Sequence, residues 1–217
     1  MAFSTAPVTS GYTLLFFTPA EASLMDALLA RIIPDEPGSP GAKGAGVTEY
    51  IDHALAGNLQ DLQPVYRDGL RALSAYSQAR FGSLFRFLDG RLQEAVVEEL
   101  DRLVTADEQA FLGQFFRIVR EHTVQGYFGD PAYGGNRDAA SWALIGFPGA
   151  QQRYSNEQLM PGFNASEVPI VTVNDLYRRI HEKRHGTAAA ENDDQFEEGA
   201  GGDPVAVLGS TVPADRP

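Results

Sequence analysis

The chain contains no cysteine. Without a thiol it forms no disulfide, offers no thiolate to a metal or an iron–sulfur cluster, and has no attachment point for covalently bound haem. A cysteine nucleophile is excluded for the same reason. If the chain works in electron transfer, the redox centres must therefore lie on other subunits.

Basic residues are scarce as well. The 217 residues include 17 lysines and arginines against 29 aspartates and glutamates, a formal net charge of −12. Lys43 and Lys183 are the only lysines, and the arginines are scattered along the chain. An acidic chain without a basic patch is not expected to bind nucleic acid or to anchor itself on an anionic membrane surface.

No long apolar run stands near the N-terminus. The first ten residues lack a basic n-region, and the best candidate for an apolar core, Tyr12–Phe17, is far too short for a signal peptide or a membrane span. The sequence as given therefore predicts neither a signal peptide nor a transmembrane helix, and a cytoplasmic location stays open.

Most catalytic motifs are missing too. There is no G-x-S-x-G elbow, and His53 and His122 are interpreted as packed or surface histidines. The carboxylate pair Glu98-Glu99 lies on a segment that we predict to be solvated. The run Gly41–Gly46 superficially resembles a phosphate-binding loop, but it lacks the Gly-Lys-Ser/Thr ending and is predicted to be a connector.

One motif keeps an enzymatic alternative open. His181, Glu182 and His185 fit the pattern H-E-x-x-H, in which two histidines share a helix face and the glutamate acts on a zinc-bound water. The neighbouring basic residues are also typical of a solvated helix C-terminus. A zinc-dependent hydrolase is thus one alternative function, and a free-standing helical interaction domain is another. The third zinc ligand would be Glu191, Glu197 or Glu198.

Apolar residues recur at helical spacing over most of the first 125 residues, which predicts a mostly α fold. Thr18, Pro19 and Glu21 form a helix start with a capping box, and Pro34 ends that helix. Further helices are predicted over Val47–Ala56, from about Pro64 to Arg80, over Leu92–Leu103, over Glu108–Gln125 after an Asp107 cap, and over Asp175–Arg184 after an Asn174 cap. The chain between residues 126 and about 170 is predicted to be irregular, with a short strand or an extended lead-in at Pro169–Val173.

The composition divides the chain into three parts. Residues 1–17 are predicted to be an N-terminal extension, residues 18–185 an irregular helical domain, and residues 186–217 an extended acidic tail. The tail contains one aromatic residue, Phe196, and has too few apolar side chains to fold alone. We therefore expect it to wrap along a partner.

The most informative segment runs from Gly126 to Gly149. It combines Trp142, the only tryptophan, with four other aromatic residues, six glycines and two prolines, several of them at turns. Rigid aromatic side chains on a pinned backbone favour protein–protein contact, and Trp142 and Tyr133 are the expected anchors. The alternative is a loop that folds back to cap its own core. The predicted partner-binding residues are Tyr127, Phe128, Asp130, Pro131, Tyr133, Gly134, Gly135, Asn136, Trp142, Phe147, Pro148 and Gly149.

These residues also carry a family resemblance. The pattern D-P-x-Y-G-G-N at 130–136, followed by Trp142 and I-G-F-P-G at 145–149, resembles the gluconate 2-dehydrogenase subunit 3 family, the small subunit of membrane-associated FAD dehydrogenases. R-I-I-P-D at 31–35 and G-V-T-E-Y-I-D at 46–52 resemble the opening of the same family.

The resemblance implies a non-catalytic subunit that stabilises a large flavoprotein of the glucose–methanol–choline oxidoreductase type and assists its maturation or export, a chaperone-like role. FAD would lie on that partner and haem c on a cytochrome subunit, with cytochrome c or a quinone as electron acceptor. This chain would then hold no catalytic, cofactor-binding or metal-binding residue. Substrates of such complexes include gluconate and sugars or glycosides oxidised at a secondary hydroxyl, as in a glucoside 3-dehydrogenase, and the expected compartment is the periplasm.

Overall fold

The computed structural model describes residues 12–106 and 110–182, and most of them are helical. Within these ranges no strand forms, and the extended pairing consists of two isolated bridges, Glu36 to Ser39 and Gly149 to Val171. The predicted mostly α fold class is therefore confirmed. The helices are α1 (Pro19–Ile32), α2 (Val47–Ala56), α3 (Gln63–Phe81), α4 (Gly90–Ala106), α5 (Phe111–Phe128) and α6 (Ala140–Ile145), and residues 173–182 are helical as well.

The described residues belong to two units. Residues up to Leu176 form the first unit, whereas residues 177–182 belong to the second and are helical. The predicted boundary at residue 185 and the acidic tail at 186–217 lie outside the described residues, so wrapping of the tail along a partner stays a prediction.

Helix α1 begins with the predicted capping box. The Thr18 side chain accepts from the backbone N–H of Glu21, and the Glu21 carboxylate accepts from the backbone N–H of Thr18. Arg67 of α3 also binds Glu21 and donates to the Phe16 carbonyl at 2.7 Å. Partial burial works against ionisation of Glu21, but hydrogen bonds from Arg67 and Thr18 outweigh it and lower its pKa. The start of α1 is thus tied to α3.

Helix α5 lies at the centre of the core, where it packs against α1, α2, α3 and α4. Its Phe115 is fully buried and meets Tyr66 of α3 edge to face, with ring centroids 5.7 Å apart. A Cβ on Gly69 of α3 would lie 2.2 Å from the Phe115 ring. Gly69 therefore sits inside a helix, despite its weak propensity, because the ring occupies the space of a side chain.

The segment before α1 is fastened to the core by Asp52 of α2, which is fully buried. Its carboxylate accepts from the backbone N–H groups of Leu15 (2.6 Å), Phe16 (3.0 Å) and Phe17 (2.6 Å), and from the Tyr12 hydroxyl. Burial and the bond to Asp52 raise the pKa of Tyr12, which keeps its hydroxyl a donor. Residues 12–17, assigned to an extension from the sequence, therefore belong to the folded body, and Phe17 is only 4% exposed.

Several predicted element boundaries differ in the structure, and helix α4, predicted over Leu92–Leu103, runs from Gly90 to Ala106. Helix α5 begins at Phe111 and runs to Phe128, three residues past its predicted end at Gln125, while the predicted cap at Asp107 lies outside the described residues. The last helix begins at residue 173 and is capped by Thr172. The Thr172 hydroxyl accepts from the backbone N–H of Asp175, and the Asp175 carboxylate accepts from the backbone N–H of Thr172. The predicted Asn174 cap is therefore wrong. Val171 forms an isolated bridge to Gly149, so the predicted segment Pro169–Val173 is a lead-in up to Thr172, and Val173 is already helical.

A polar pair lies inside the core between α3 and α5. The Tyr66 hydroxyl lies 2.8 Å from Nδ1 of His122, and the two rings are parallel with centroids 5.9 Å apart. Burial lowers the pKa of His122 and raises that of Tyr66. His122, interpreted from the sequence as packed or surface, is packed, because only 7% of it is exposed.

We expect replacement of Asp52 to destabilise the protein. Asp52→Ala leaves three backbone donors without their acceptor, of which that of Phe17 is buried and those of Leu15 and Phe16 are partly buried, and this lowers the free energy of unfolding by about 3 kcal/mol. Asp68→Ala is the matched control, because Asp68 is exposed and pairs only with Arg71 in the next turn; its effect should stay below about 0.5 kcal/mol. Urea denaturation measures both, and equal effects would contradict the role of Asp52.

Stability should also fall when the pH drops below neutrality. The unfolded chain takes up a proton on His122 near the ordinary pKa of 6.5, whereas the folded chain, with its lowered pKa, does not. The contribution of His122 to the free energy of unfolding is therefore complete above pH 6.5. It is lost as the pH falls from 6.5 towards the lowered pKa of His122 in the folded chain.

Melting temperatures across this pH range test the expectation. His122→Gln keeps an acceptor for Tyr66 but does not titrate, so its melting temperature should depend less on pH than that of the unsubstituted chain. An unchanged pH dependence in His122→Gln would refute the assignment.

Candidate functional site

The segment 126–149 is more regular than the sequence indicated. It comprises the last turn of α5, 3-10 turns at Pro131–Tyr133 and Arg137–Ala139, and the six-residue helix α6. The prediction that this region is irregular is thus corrected in part. Tyr127 and Phe128 lie on α5 and Trp142 lies on α6, so these aromatic side chains are held by helices and not by a loop.

Asp130 fixes the first turn. It is buried, and one of its carboxylate oxygens accepts from the Ala132 N–H at 2.9 Å while the other accepts from the Val173 N–H at 2.9 Å. Pro131 then opens the 3-10 turn with a backbone angle that suits a helical start. Asp130 therefore both shapes the turn and joins it to the chain that follows residue 171.

Asn136 connects α5 with α6. It is fully buried in a left-handed conformation, and its side chain donates to the Gly129 carbonyl at 2.9 Å. Its carbonyl oxygen accepts from both the backbone N–H (2.9 Å) and the hydroxyl (2.8 Å) of Ser141. The two bonds with Ser141 are buried and the bond to Gly129 is partly buried, and together they satisfy the side chain of Asn136 and fix the start of α6.

The two glycines before Asn136 serve different needs. Gly134 has a φ of +100°, which an L side chain rarely adopts. Gly135 does not have a positive φ, yet a Cβ there would lie 2.1 Å from the Gly126 carbonyl oxygen. Gly135 is therefore required for a steric reason, because the chain passes close to the Gly126 backbone of α5.

Trp142 points inward. Only 5% of it is exposed, its Nε1 donates to the Phe128 carbonyl at 2.7 Å, and its ring meets Phe147 edge to face at 5.1 Å between centroids. Gly149 lies against the same ring, since a Cβ there would be 2.6 Å away. The indole thus acts as an internal cap that joins α5, α6 and the chain after α6.

The segment also rests on the start of α2. The Arg137 N–H donates to the Ala45 carbonyl at 3.0 Å, and its guanidinium lies 3.3 Å from the Glu49 carboxylate. Gly134 lies beside His53, where an added Cβ would be 2.9 Å from the imidazole. These contacts join two of the stretches of sequence that carry the family resemblance, 46–52 and 130–149.

The twelve predicted partner-binding residues divide into an inner and an outer set. Three are exposed: Phe128 (40%), Tyr133 (58%) and Phe147 (44%). Pro131 and Gly134 are half-buried. The buried ones are Tyr127, Asp130, Gly135, Asn136, Trp142, Pro148 and Gly149. Binding of a partner by the set stays a prediction, and the buried members would support the surface from below.

Sequence reasoning missed two exposed residues of this region, Leu144 (55%) and Ile145 (57%). They follow Trp142 on α6. The sequence predicts an irregular segment here, and that prediction includes no helix whose faces could be assigned. The run S-W-A-L-I itself was the available signal.

The zinc motif is only partly within the described residues. His181 and Glu182 are exposed on the last helix, and His185 lies outside the described ranges. Among residues 12–106 and 110–182, no group of three histidine, aspartate or glutamate side chains is placed to hold a metal ion. In the same part of the chain, no helix has both the length and the apolar character needed to cross a bilayer.

Replacing Gly135 should loosen the segment. Gly135→Ala places a methyl group against the Gly126 carbonyl, and the resulting displacement should lower the free energy of unfolding by about 2 kcal/mol. Gly90→Ala is the control, because a Cβ there meets only the flexible end of Arg31 at 3.4 Å; its effect should be near zero. Denaturant unfolding compares the two, and a neutral Gly135→Ala would show that α5 and the segment do not need this close approach.

Comparison with known proteins identifies the family of the chain. No curated protein and no solved structure matches the chain. The model of one family, described as gluconate 2-dehydrogenase subunit 3, matches residues 19–149, which run from the first residue of α1 to the glycine packed on Trp142. Since the match covers more than half of the 217 residues and includes all the resembling stretches, the chain belongs to the gluconate 2-dehydrogenase subunit 3 family.

Proposed function

We propose that the chain is the non-catalytic small subunit of a heteromeric FAD-dependent dehydrogenase that oxidises gluconate, a sugar or a glycoside. The observation that carries the proposal is the family match over 19–149, because the family is named for a subunit of a dehydrogenase complex. The matched residues include the whole helical body from α1 to α6 and the segment packed on it.

The proposal assigns the redox chemistry to partners. A large flavoprotein of the glucose–methanol–choline oxidoreductase type would hold FAD and the substrate. Electrons would leave through the haem of a c-type cytochrome or to a quinone. This division agrees with a chain that has no cysteine, the residue that attaches haem c and ligates most iron–sulfur clusters. We place the assembled complex in the periplasm, as the resemblance implies.

The contribution of this chain would be to stabilise the flavoprotein and to assist its maturation or export. A rigid body is suited to that role, because a surface that is already ordered loses little conformational entropy when it docks. The segment 126–149 has this property: Asp130, Asn136 and Trp142 are buried, and each forms hydrogen bonds that hold neighbouring backbone in place.

Co-expression tests the proposal. We expect a gene for an FAD-containing large subunit beside that of this chain, and the two products should co-purify as a heteromer by size-exclusion chromatography with light scattering. The flavoprotein should melt at a higher temperature in the complex than alone, because binding to the folded state stabilises it by mass action. The isolated chain should show neither a flavin spectrum nor dehydrogenase activity.

Two results would overturn the proposal. One is a homogeneous preparation of this chain that carries stoichiometric flavin. The other is a large subunit whose yield, melting temperature and activity are the same with and without this chain. Zinc analysis of the full-length chain addresses the hydrolase alternative: stoichiometric zinc that is lost in His181→Ala would favour it.

A further inference from the structure

The sulfur chemistry of this chain is restricted to thioethers. The sequence contains no cysteine and three methionines, Met1, Met25 and Met160. Cysteine and methionine are the side chains that undergo reversible sulfur oxidation, so in a chain without cysteine this reactivity belongs to the methionines. Met25 and Met160 lie within the described residues, and their surroundings are opposite.

Met25 lies in the interior. It is on α1, its exposed fraction is 0%, and it belongs to the core that also contains Leu28, Phe115 and Val119. Protein interiors are close-packed, with few voids larger than a water molecule. A peroxide molecule therefore reaches the Met25 sulfur only when the surrounding helices open, and the population of open molecules limits the rate of oxidation.

Met160 lies on an exposed turn formed by residues 155–163. Its exposed fraction is 63%, and that of its neighbour Leu159 is 67%. A Cβ on Gly162, two residues further along the chain, would meet no atom within 4 Å, so the space beside the turn is open. Oxidation of Met160 therefore needs no opening of the folded structure.

The turn is held by groups other than the Met160 side chain. The Ser155 N–H donates to the Gln158 side chain at 2.8 Å, and the Gln158 N–H donates to the Ser155 hydroxyl at 3.2 Å. The Met160 N–H donates to the Glu157 carbonyl at 3.1 Å, and the Met160 carbonyl accepts from the Phe163 N–H at 3.2 Å. A chemical change at the sulfur therefore leaves the hydrogen bonds of the turn in place.

We propose that Met160 is the site at which hydrogen peroxide modifies the folded chain, and that the product is reversible methionine sulfoxide. The sulfur lone pair attacks one peroxide oxygen, and the S–O bond forms as the O–O bond breaks. The departing hydroxide takes the proton from the new sulfoxide oxygen and leaves as water. The sulfur is oxidised by two electrons and the peroxide is reduced by two.

The modification changes the character of the turn. The thioether is flexible and apolar, whereas the sulfoxide is polar and chiral. Oxidation therefore leaves Leu159 as the only apolar member of this exposed pair. Methionine sulfoxide reductases, one class for each sulfoxide epimer, restore the thioether, and the exposure of Met160 gives them access to the side chain.

The test treats the full-length chain with hydrogen peroxide and follows the gain of one oxygen atom at each methionine by peptide mass spectrometry. Met160 should be oxidised at least about 100-fold faster than Met25, because the open population of a core residue is small. The N-terminal peptide that contains Met1 is scored separately. In a denaturing concentration of urea the rates at Met25 and Met160 should become similar, because both sulfurs are then in contact with solvent.

Two matched variants identify the reactive sulfur. Met160→Leu should remove the fast oxidation outside the N-terminal peptide, and Met25→Leu should retain it. Both replacements conserve volume closely, so both variants are expected to fold. After oxidation of the unsubstituted chain, the far-UV circular dichroism and the melting temperature should match those of the untreated chain, and treatment with both classes of reductase should restore the original mass.

Four results would overturn the proposal. The first is oxidation of Met25 and Met160 at equal rates in the folded chain, and the second is a Met160 that reacts only in urea. The third is loss of the folded circular dichroism signal when Met160 alone is oxidised. A sulfoxide at Met160 that the reductases do not remove would refute reversibility. The inference is independent of the function proposed above, because peroxide is the only co-reactant, and none of these results bears on that function.

Discussion

The close approach of other backbones to helix α5 is the constraint on which the rest of the structure depends. Glycines make it possible on several sides. A Cβ on Gly113 would lie 2.9 Å from the Leu103 backbone of α4, and one on Gly126 would lie 2.5 Å from the Tyr50 ring of α2. The chain that follows α5 passes close to the helix as well, since a Cβ on Gly135 would lie 2.1 Å from the Gly126 carbonyl oxygen. Because these gaps are filled by neighbouring atoms, the elements around α5 have little freedom to shift independently.

The end of α5 also supplies the acceptors that fix the following segment. The carbonyls of Phe128 and Gly129, which no longer have partners within the helix, accept from the Trp142 indole and the Asn136 amide. Groups that would otherwise be left to water are thereby used to hold α6. The segment is held in place because the side chains of Asn136 and Trp142 donate hydrogen bonds to the backbone carbonyls at the C-terminal end of α5.

The two interpretations of this segment as an internal cap and as a docking surface describe different side chains of the same unit. Trp142, Asn136 and Asp130 face inward and make the hydrogen bonds. Leu144, Ile145 and other exposed apolar residues face outward. The inner residues contribute to stability and the outer ones are available to a partner, so substitutions in the two sets should have separable effects on folding and on binding.

The sequence by itself determined the elements whose signals are local. Thr18, Pro19 and Glu21 specify the start of α1 through hydrogen bonds within four residues, and α2 has the predicted bounds Val47–Ala56. The motifs at 31–35, 46–52 and 130–149 likewise identified the family, since they depend on residue order alone. Only the tertiary structure decided the direction in which each aromatic side chain of 126–149 points, because that depends on contacts with α2 and α5 that are distant in sequence. For the same reason, the fully buried Asp52 and its bonds to residues 12–17 could not be predicted: a carboxylate on a short helix is usually solvated, and its donors lie 35 to 40 residues away.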